Sequence, residues 1–212
     1  KLLLYPWLSR HADYRVVAVD RGPEAVRIEL LPTGRAPAIA AGQFGFLRLK
    51  EQGLREPHPF TIASVAADGR IAFLVRALGD YTRRLREGIA VGMQAEVHAP
   101  FGRFQRHGGT GRQVWIGGGV GISPFVAWLG DADTVDLQQV TLFYFHTPGR
   151  DFPAVQVLDA MARARGAELV AVAGGPDQPV FGDRFDAIVR EAGAGAVSVD
   201  VCGPAGLLAA VR

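Results

Sequence analysis

Along the first half of the chain, apolar and polar residues alternate in short runs. Each run is bounded by turn residues such as Arg21-Gly22-Pro23 and Asp68-Gly69. Period-2 alternation between Gly, Pro and Asp signals predicts strands. The runs are Tyr14–Asp20, Ala25–Leu31, Gln43–Leu49, Phe60–Val65, Arg70–Ala77 and Ala95–Ala99, with a short helix over Tyr81–Glu87. Six short strands with tight turns predict a small antiparallel barrel. After the polar, glycine-rich stretch Arg106–Arg112 the pattern changes to long apolar runs alternating with helical periodicity. The predicted strands there are Gln113–Ile116, Gln139–Phe145, Glu168–Ala173 and Ser198–Cys202. The predicted helices are Pro124–Leu129, Pro153–Arg165, Asp183–Glu191 and Ala205–Val211. Such alternation predicts a parallel sheet wound with helices on both faces. The expected organisation is a leader over 1–12, a barrel over 13–107 and an α/β domain over 112–212.

Composition narrows the class. At 212 residues, 49% hydrophobic and 21% charged, the chain is long enough for one large domain or two small ones. A net charge of +2 and a pI near 9.0 are too mild to argue for nucleic acid. Arg83, Arg84 and Arg86 read as a solvated helix face. A single cysteine, Cys202, allows no disulfide framework and no cysteine-based zinc site, and the five histidines show no ligand spacing. No metal is therefore expected. The longest uncharged run, Val114–Gly130, is broken by glycines and a proline and reads as βα structure. Lys1–Leu8 lacks a signal-peptide pattern and reads as the trailing end of a preceding segment.

Three segments carry candidate chemistry. Gly117-Gly118-Gly119-Val120-Gly121-Ile122-Ser123-Pro124 follows a predicted strand and opens a predicted helix, with Ser123 as N-cap and Pro124 in the first turn. Such a turn can present backbone N–H groups to a pyrophosphate. It is equally compatible with a plain tight βα connection, because Ile122 and Pro124 break the G-x-G-x-x-G spacing. In His58-Pro59-Phe60-Thr61, alternation separates Phe60 from Thr61, and an aromatic beside a hydroxyl suits a flat heteroaromatic ligand. A hairpin-edge strand with one core Phe is the alternative. Arg76 ends a strand shortly before Gly79-Asp80-Tyr81-Thr82, where Asp80 or Thr82 can cap the helix. An arginine near free helix N–H groups makes a phosphate site, and an ordinary capped surface helix is the alternative.

Five motifs in this order, His58–Thr61, Gly79–Thr82, Pro100–Gly102, Gly117–Gly121 and Cys202–Pro204, resemble the ferredoxin-reductase-like flavoenzyme superfamily over nearly the whole chain. The His-Pro-Phe-Thr form is similar to the branch of ferric reductases and NADPH oxidase dehydrogenase domains. The resemblance implies a six-stranded FAD-binding barrel followed by a doubly wound NAD(P)H-binding domain that lacks part of its C-terminal end. It implies that Phe60 packs on the isoalloxazine and Thr61 approaches flavin N5. His58, Pro59, Arg76, Gly79, Tyr81 and Thr82 would serve the flavin and its diphosphate, and Phe101 and Gly102 would close its far side. Gly118, Gly119, Gly121, Ser123 and Pro124 would hold the nicotinamide dinucleotide pyrophosphate. Cys202, Gly203 and Pro204 would lie by the nicotinamide, where Cys202 packs and does not attack.

By the same resemblance, hydride passes from nicotinamide to flavin, and single electrons then leave for an acceptor. Acceptors expected in that branch are haem in an attached membrane domain, ferric iron or oxygen. The expected setting is a cytoplasmic-face domain tethered through a segment before residue 1. FAD is expected over FMN, since the Arg76–Thr82 segment fits a diphosphate. After the strand ending at Phe145, Thr147 and Arg150 suit a 2′-phosphate while Asp151 opposes it; NADPH is expected, with NADH the alternative. The competing readings are a free-standing reductase of ferric chelates, flavin or an iron–sulfur protein, and a flavin-binding module without turnover.

Overall fold

The computed structural model describes residues 11–106, 111–134, 136–193 and 197–211. The expected leader segment Leu2–Leu8 lies outside the described residues. The chain divides into two compact units, Lys1–Arg106 and His107–Arg212.

The first unit is a closed barrel of six strands: β1 (His11–Arg21), β2 (Ala25–Pro32), β3 (Phe44–Leu49), β4 (His58–Val65), β5 (Ile71–Arg76) and β6 (Gln94–Phe101). The strand order is β1-β2-β5-β4-β3-β6, and β1 closes on β6. Every pair is antiparallel. Alternation sends Val16, Ile28, Leu30, Leu47, Phe73 and Val97 inward, where all are fully buried. Helix α1 (Asp80–Gly88) covers one end and inserts Tyr81 and Leu85, followed by Ile89, into the same core. Its far end is held by Arg21, which donates from Nε to the Arg86 carbonyl at 2.9 Å and from a terminal nitrogen to the Ile89 carbonyl. A cation there complements the negative end of the helix dipole. Arg86 in turn donates to the Gly22 carbonyl at 2.8 Å. Arg86 therefore ties the helix to the β1–β2 turn and is not simply solvated, as sequence had suggested.

The second unit is a four-stranded parallel sheet of β7 (Arg112–Gly118), β8 (Val140–His146), β9 (Glu168–Ala173) and β10 (Val197–Cys202), ordered β10-β7-β8-β9. β7 and β8 are nearly continuously buried, as strands covered on both faces must be. On one face Val114, Ile116, Phe143 and Phe145 pack with Phe181 and Ile188 of α4 (Pro179–Ala192) and Leu207 of α5 (Ala205–Ala210). On the other, Trp115 meets Phe125 and Trp128 of α2 (Ser123–Gly130) at ring separations of 5.8 and 5.0 Å. Helix α3 (Val155–Ala164) packs on β9 and touches α2.

Two further details differ from the sequence reading. A 3-10 turn, Gly119–Ile122, leads directly into α2, so Ser123 is already helical and is not an N-cap. Its side chain is 1% exposed and its hydroxyl donates back to the Val120 carbonyl at 2.7 Å. Helix α4 starts at Pro179, four residues ahead of the expected Asp183. Proline fits the first helical turn, where its missing N–H removes no bond. Among the described residues, no helix is long and apolar enough to cross a membrane.

Candidate functional site

In the first unit the candidate residues lie on β4, in the β5–α1 loop and first turn of α1, and at the end of β6. Register places Thr61 opposite Phe44, and Phe44 opposite Phe101, in one row across β4, β3 and β6. Residues directly opposite in antiparallel strands share a face, so Thr61 stands beside an aromatic pair. Phe44 and Phe101 stack at 5.6 Å, and Phe46 meets Phe101 edge-on at 5.3 Å. Gly102 follows with φ +86°, and a Cβ there would stand 3.0 Å from the Phe44 ring. Pro59 lies opposite Phe46 on this same outer face.

Phe60 points the other way, toward the barrel rim, opposite Gly45. It is partly buried against the core and meets Phe73 at 6.3 Å. His58 stacks on Tyr81 with ring centroids 3.7 Å apart. Tyr81 is 8% exposed and donates its hydroxyl to the Leu54 carbonyl at 3.4 Å. Burial pushes its pKa up to about 12, with the Glu56 carboxylate adding to the shift. The Tyr81 side chain is therefore a core plug that positions His58. His58 Nε2 is a buried atom that makes no hydrogen bond, with the Glu56 carboxylate 3.4 Å away.

The β5–α1 loop is shaped by Thr82. Its Oγ1 accepts from the N–H groups of Leu78 and Gly79, both at 3.0 Å, and donates to the Gly79 carbonyl. Thr82 thus closes the first turn of α1 from within, while Asp80 pairs with Arg83 at 2.7 Å. Arg76 meets Glu24, with a guanidinium nitrogen 3.2 Å from the carboxylate. A guanidinium, a hydroxyl and two backbone N–H groups thus stand on seven consecutive residues, and a phosphate could meet them by exchanging for Glu24 and the Thr82 hydroxyl.

In the second unit the candidates gather at the carboxyl ends of the strands. From β7 the chain runs outward to β8 and β9, then returns to place β10 on the other side of β7. That reversal is a topological switch point, and it lies between the glycine turn after β7 and the Cys202-Gly203-Pro204 turn after β10. The two turns are packed tightly. A Cβ on Gly118 would stand 2.7 Å from Leu207 and 3.0 Å from Pro204, and one on Gly121 would stand 2.7 Å from Gly203 Cα. Only Gly119 has a positive φ, +55°, among the glycines of this turn. Packing against the turn after β10 and against Leu207 alone therefore demands Gly118 and Gly121, and their presence is not in itself a sign of a pyrophosphate. Pro124 is buried beside Ser123, so these two offer no exposed side chain. Burial pushes the Cys202 thiol pKa up, which keeps it neutral and unsuited to attack.

After β8, Thr147 to Arg150 form a turn in which the Arg150 N–H donates to the Thr147 carbonyl at 2.9 Å and Gly149 has φ +76°. Both side chains are exposed. Asp151 accepts from the Val155 N–H at 3.2 Å and so faces the first turn of α3.

Two participants, Phe44 and Glu24, were missed in the sequence, and so was the role of Tyr81 beneath His58. Phe44 is signalled only by its place in the alternating Phe44-Gly45-Phe46 run. Tyr81 as the support of His58, and Glu24 as the partner of Arg76, join residues 23 and 52 positions apart. No local pattern reports such pairs.

A closed six-stranded antiparallel barrel followed by a four-stranded parallel sheet is the arrangement that solved flavoproteins share with this chain. Residues 22–112 match the family model of an FAD-binding domain. The chain is 30% identical over 156 residues to the methane monooxygenase component C of Methylosinus trichosporium, covering 71% of this chain and 43% of that protein. It is 30% identical over 125 residues to dual oxidase 2 of Rattus norvegicus, covering 50% of this chain and 8% of that protein. The crystal structure of the Amycolatopsis cytochrome P450 reductase GcoB superposes with a TM-score of 0.73 at 25% identity, covering 96% of this chain and 65% of that one. Residues 22–112 therefore carry an FAD-binding domain, and the fold is similar to that of the ferredoxin-reductase-like flavoproteins. The chain spans less than half the length of these two curated relatives.

Proposed function

We propose that this chain is the FAD- and NAD(P)H-binding part of an oxidoreductase, with residues 13–107 holding the flavin and 112–212 the nicotinamide dinucleotide. The observation that carries it is the seven-residue donor set from Arg76 to Thr82, within a segment that matches an FAD-binding family. When bound, the nicotinamide supplies a hydride and the flavin divides that electron pair into single electrons.

The chain's own residues bind and orient. Arg76, with the loop N–H groups of Leu78 and Gly79, neutralises phosphate charge, and the Thr82 hydroxyl yields to or joins it. Phe60 offers a flat apolar surface. Thr61 is the catalytic residue that brings a hydroxyl to the flavin N5 edge. Phe101 and Gly102 bound the far side, and His58, fixed by Tyr81, adds a ring nitrogen. In the second unit the backbone around Gly118–Gly121 takes the pyrophosphate, and Cys202, Gly203 and Pro204 pack against the nicotinamide. Thr147 and Arg150 face the ribose 2′ position, which favours NADPH, with NADH the second choice. The electron acceptor is a partner protein or an attached domain, as the similarity to a dual oxidase and to a monooxygenase component supports.

The test is anaerobic titration of the purified, flavin-loaded protein with NADPH and NADH. Loss of the yellow flavin absorbance supports a reductase. A yellow protein that neither nicotinamide bleaches would refute turnover and leave a flavin-binding module.

A further inference from the structure

The row Thr61–Phe44–Phe101 crosses β4, β3 and β6, and a bulge interrupts the ladder on either side of it. Between Phe44 and Phe46 the pairing takes two steps on β3 against three on β6. Between Ile62 and Ser64 it takes two steps on β4 against one on β5. Bulges release ladder bonds, bend the strand and re-aim side chains, and they recur beside functional sites. The end of β6 lacks a further donor at Pro100, which has no N–H.

Gln43, next to Phe44, ties these interrupted ends together. Its carbonyl accepts from the Ile62 N–H at 3.0 Å, and its N–H donates to the Ala40 carbonyl at 3.2 Å. Its side-chain Oε1 accepts from the Ala40 N–H at 2.8 Å. An amide whose oxygen faces an N–H must turn its nitrogen the other way. That nitrogen donates to the Gly102 carbonyl at 3.5 Å, which is long for such a bond. One residue thus holds the loop before β3, the strand that carries Thr61 and the residue that follows Phe101.

We infer that Gln43 is a positioning residue: its carboxamide sets the separation of Phe101 and Gly102 from Thr61, and so the width of the slot that receives the flavin ring. This rests on the reading that Thr61 and Phe101 border that ring. Gln43 acts through Gly102 and the β4 backbone and takes no part in the chemistry. Glutamate at this position keeps the shape but, ionised, sets an acceptor against the Gly102 carbonyl. Protonated, it regains a donor. A carboxyl facing a carbonyl favours its neutral form and takes up a proton above the ordinary glutamate value of about 4.3. The partners Ala40, Ile62 and Gly102 carry no titratable group, and the charged residue beside them in sequence is the exposed Arg103.

The experiment measures FAD dissociation constants by flavin fluorescence for the whole chain, for Gln43→Glu and for Gln43→Leu, at pH 5 and pH 8. Visible circular dichroism of the bound flavin is recorded at saturation. The original chain is expected to bind within about threefold at the two pH values, since its amide does not titrate. Gln43→Leu is expected to weaken FAD about five- to twentyfold at both, the effect of lost bonds and a stranded Ala40 N–H. Gln43→Glu is expected to bind about tenfold or more weakly at pH 8 and to recover to within about threefold of the original at pH 5. Gln43→Leu is also expected to change the dichroism of the bound ring, which a tie serving stability alone would leave as it was. Affinity of Gln43→Glu that ignores pH, or a bound-flavin spectrum identical in all three proteins, overturns the inference while leaving the flavin reading intact. Binding of FAD by none of them overturns both.

Discussion

A methyl group on Gly121 would stand 2.7 Å from the carbonyl carbon of Cys202, inside any allowed contact. The glycine turn after β7 and the turn after β10 are thus pressed backbone to backbone. Gly121→Ala is expected to destabilise the second unit by about 1–3 kcal/mol, since close-packed backbone cannot yield. Urea unfolding followed through Trp115 and Trp128, both buried in that unit, reads the change. An unchanged midpoint would show that the turn opens freely.

Thr61 shares a row with Phe44 and Phe101 on the outer face of the barrel. Thr61→Val keeps the shape and removes the hydroxyl. It is expected to retain flavin while slowing flavin reduction by NADPH roughly 5- to 100-fold, the effect of one lost hydrogen bond worth about 1–3 kcal/mol. Stopped-flow absorbance at matched flavin content measures it. An unaltered rate removes Thr61 from the chemistry.

Arg150 and Thr147 carry exposed side chains in the turn after β8, and Asp151 faces the α3 backbone. Arg150→Ala is expected to raise the Michaelis constant for NADPH about tenfold or more and to leave that for NADH within about twofold, because only the former carries the 2′-phosphate. Steady-state reduction of an artificial acceptor gives both values. Parallel changes for the two nucleotides would place the phosphate elsewhere.

Glu96 faces Arg48 at 2.7 Å, hydrogen-bonds His98 and lies opposite Asp13 on β1. Burial raises its pKa, but hydrogen bonds from His98 and Arg48 outweigh it and hold the carboxyl below its ordinary 4.5. A lowered native pKa means the unfolded state takes up the proton first. The stabilisation is therefore complete above about pH 5.5 and lost as the pH falls through the native value. Glu96 is 17% exposed, so Glu96→Gln is expected to cost about 1 kcal/mol at pH 7 and to flatten the decline of barrel stability below pH 5. Melting curves across pH 3–7 check both signs; a variant as acid-sensitive as the parent would dismiss the carboxylate.

The strands were legible because alternation and turn residues are local. All ten appear within a few residues of their expected bounds, and Glu168–Ala173 coincides with its prediction. The errors fall where distant groups decide. Ser123 carries the chemistry of an N-cap, yet the 3-10 turn ahead of it makes it helical and turns its hydroxyl onto Val120. Arg86 looks like a solvated charge on a helix, yet the Gly22 carbonyl, 64 residues away, claims it. The candidate loop was visible as Arg76 and Thr82, but not that Thr82 serves its own loop N–H groups or that Glu24 stands against Arg76.

Because the Thr82 hydroxyl already satisfies the donors of Leu78 and Gly79, the segment acquires its shape during folding and not upon ligation. Association then exchanges one set of polar contacts for another, and the entropic penalty of ordering a floppy stretch is avoided. The flavin-free protein should accordingly keep this stretch protected from amide exchange.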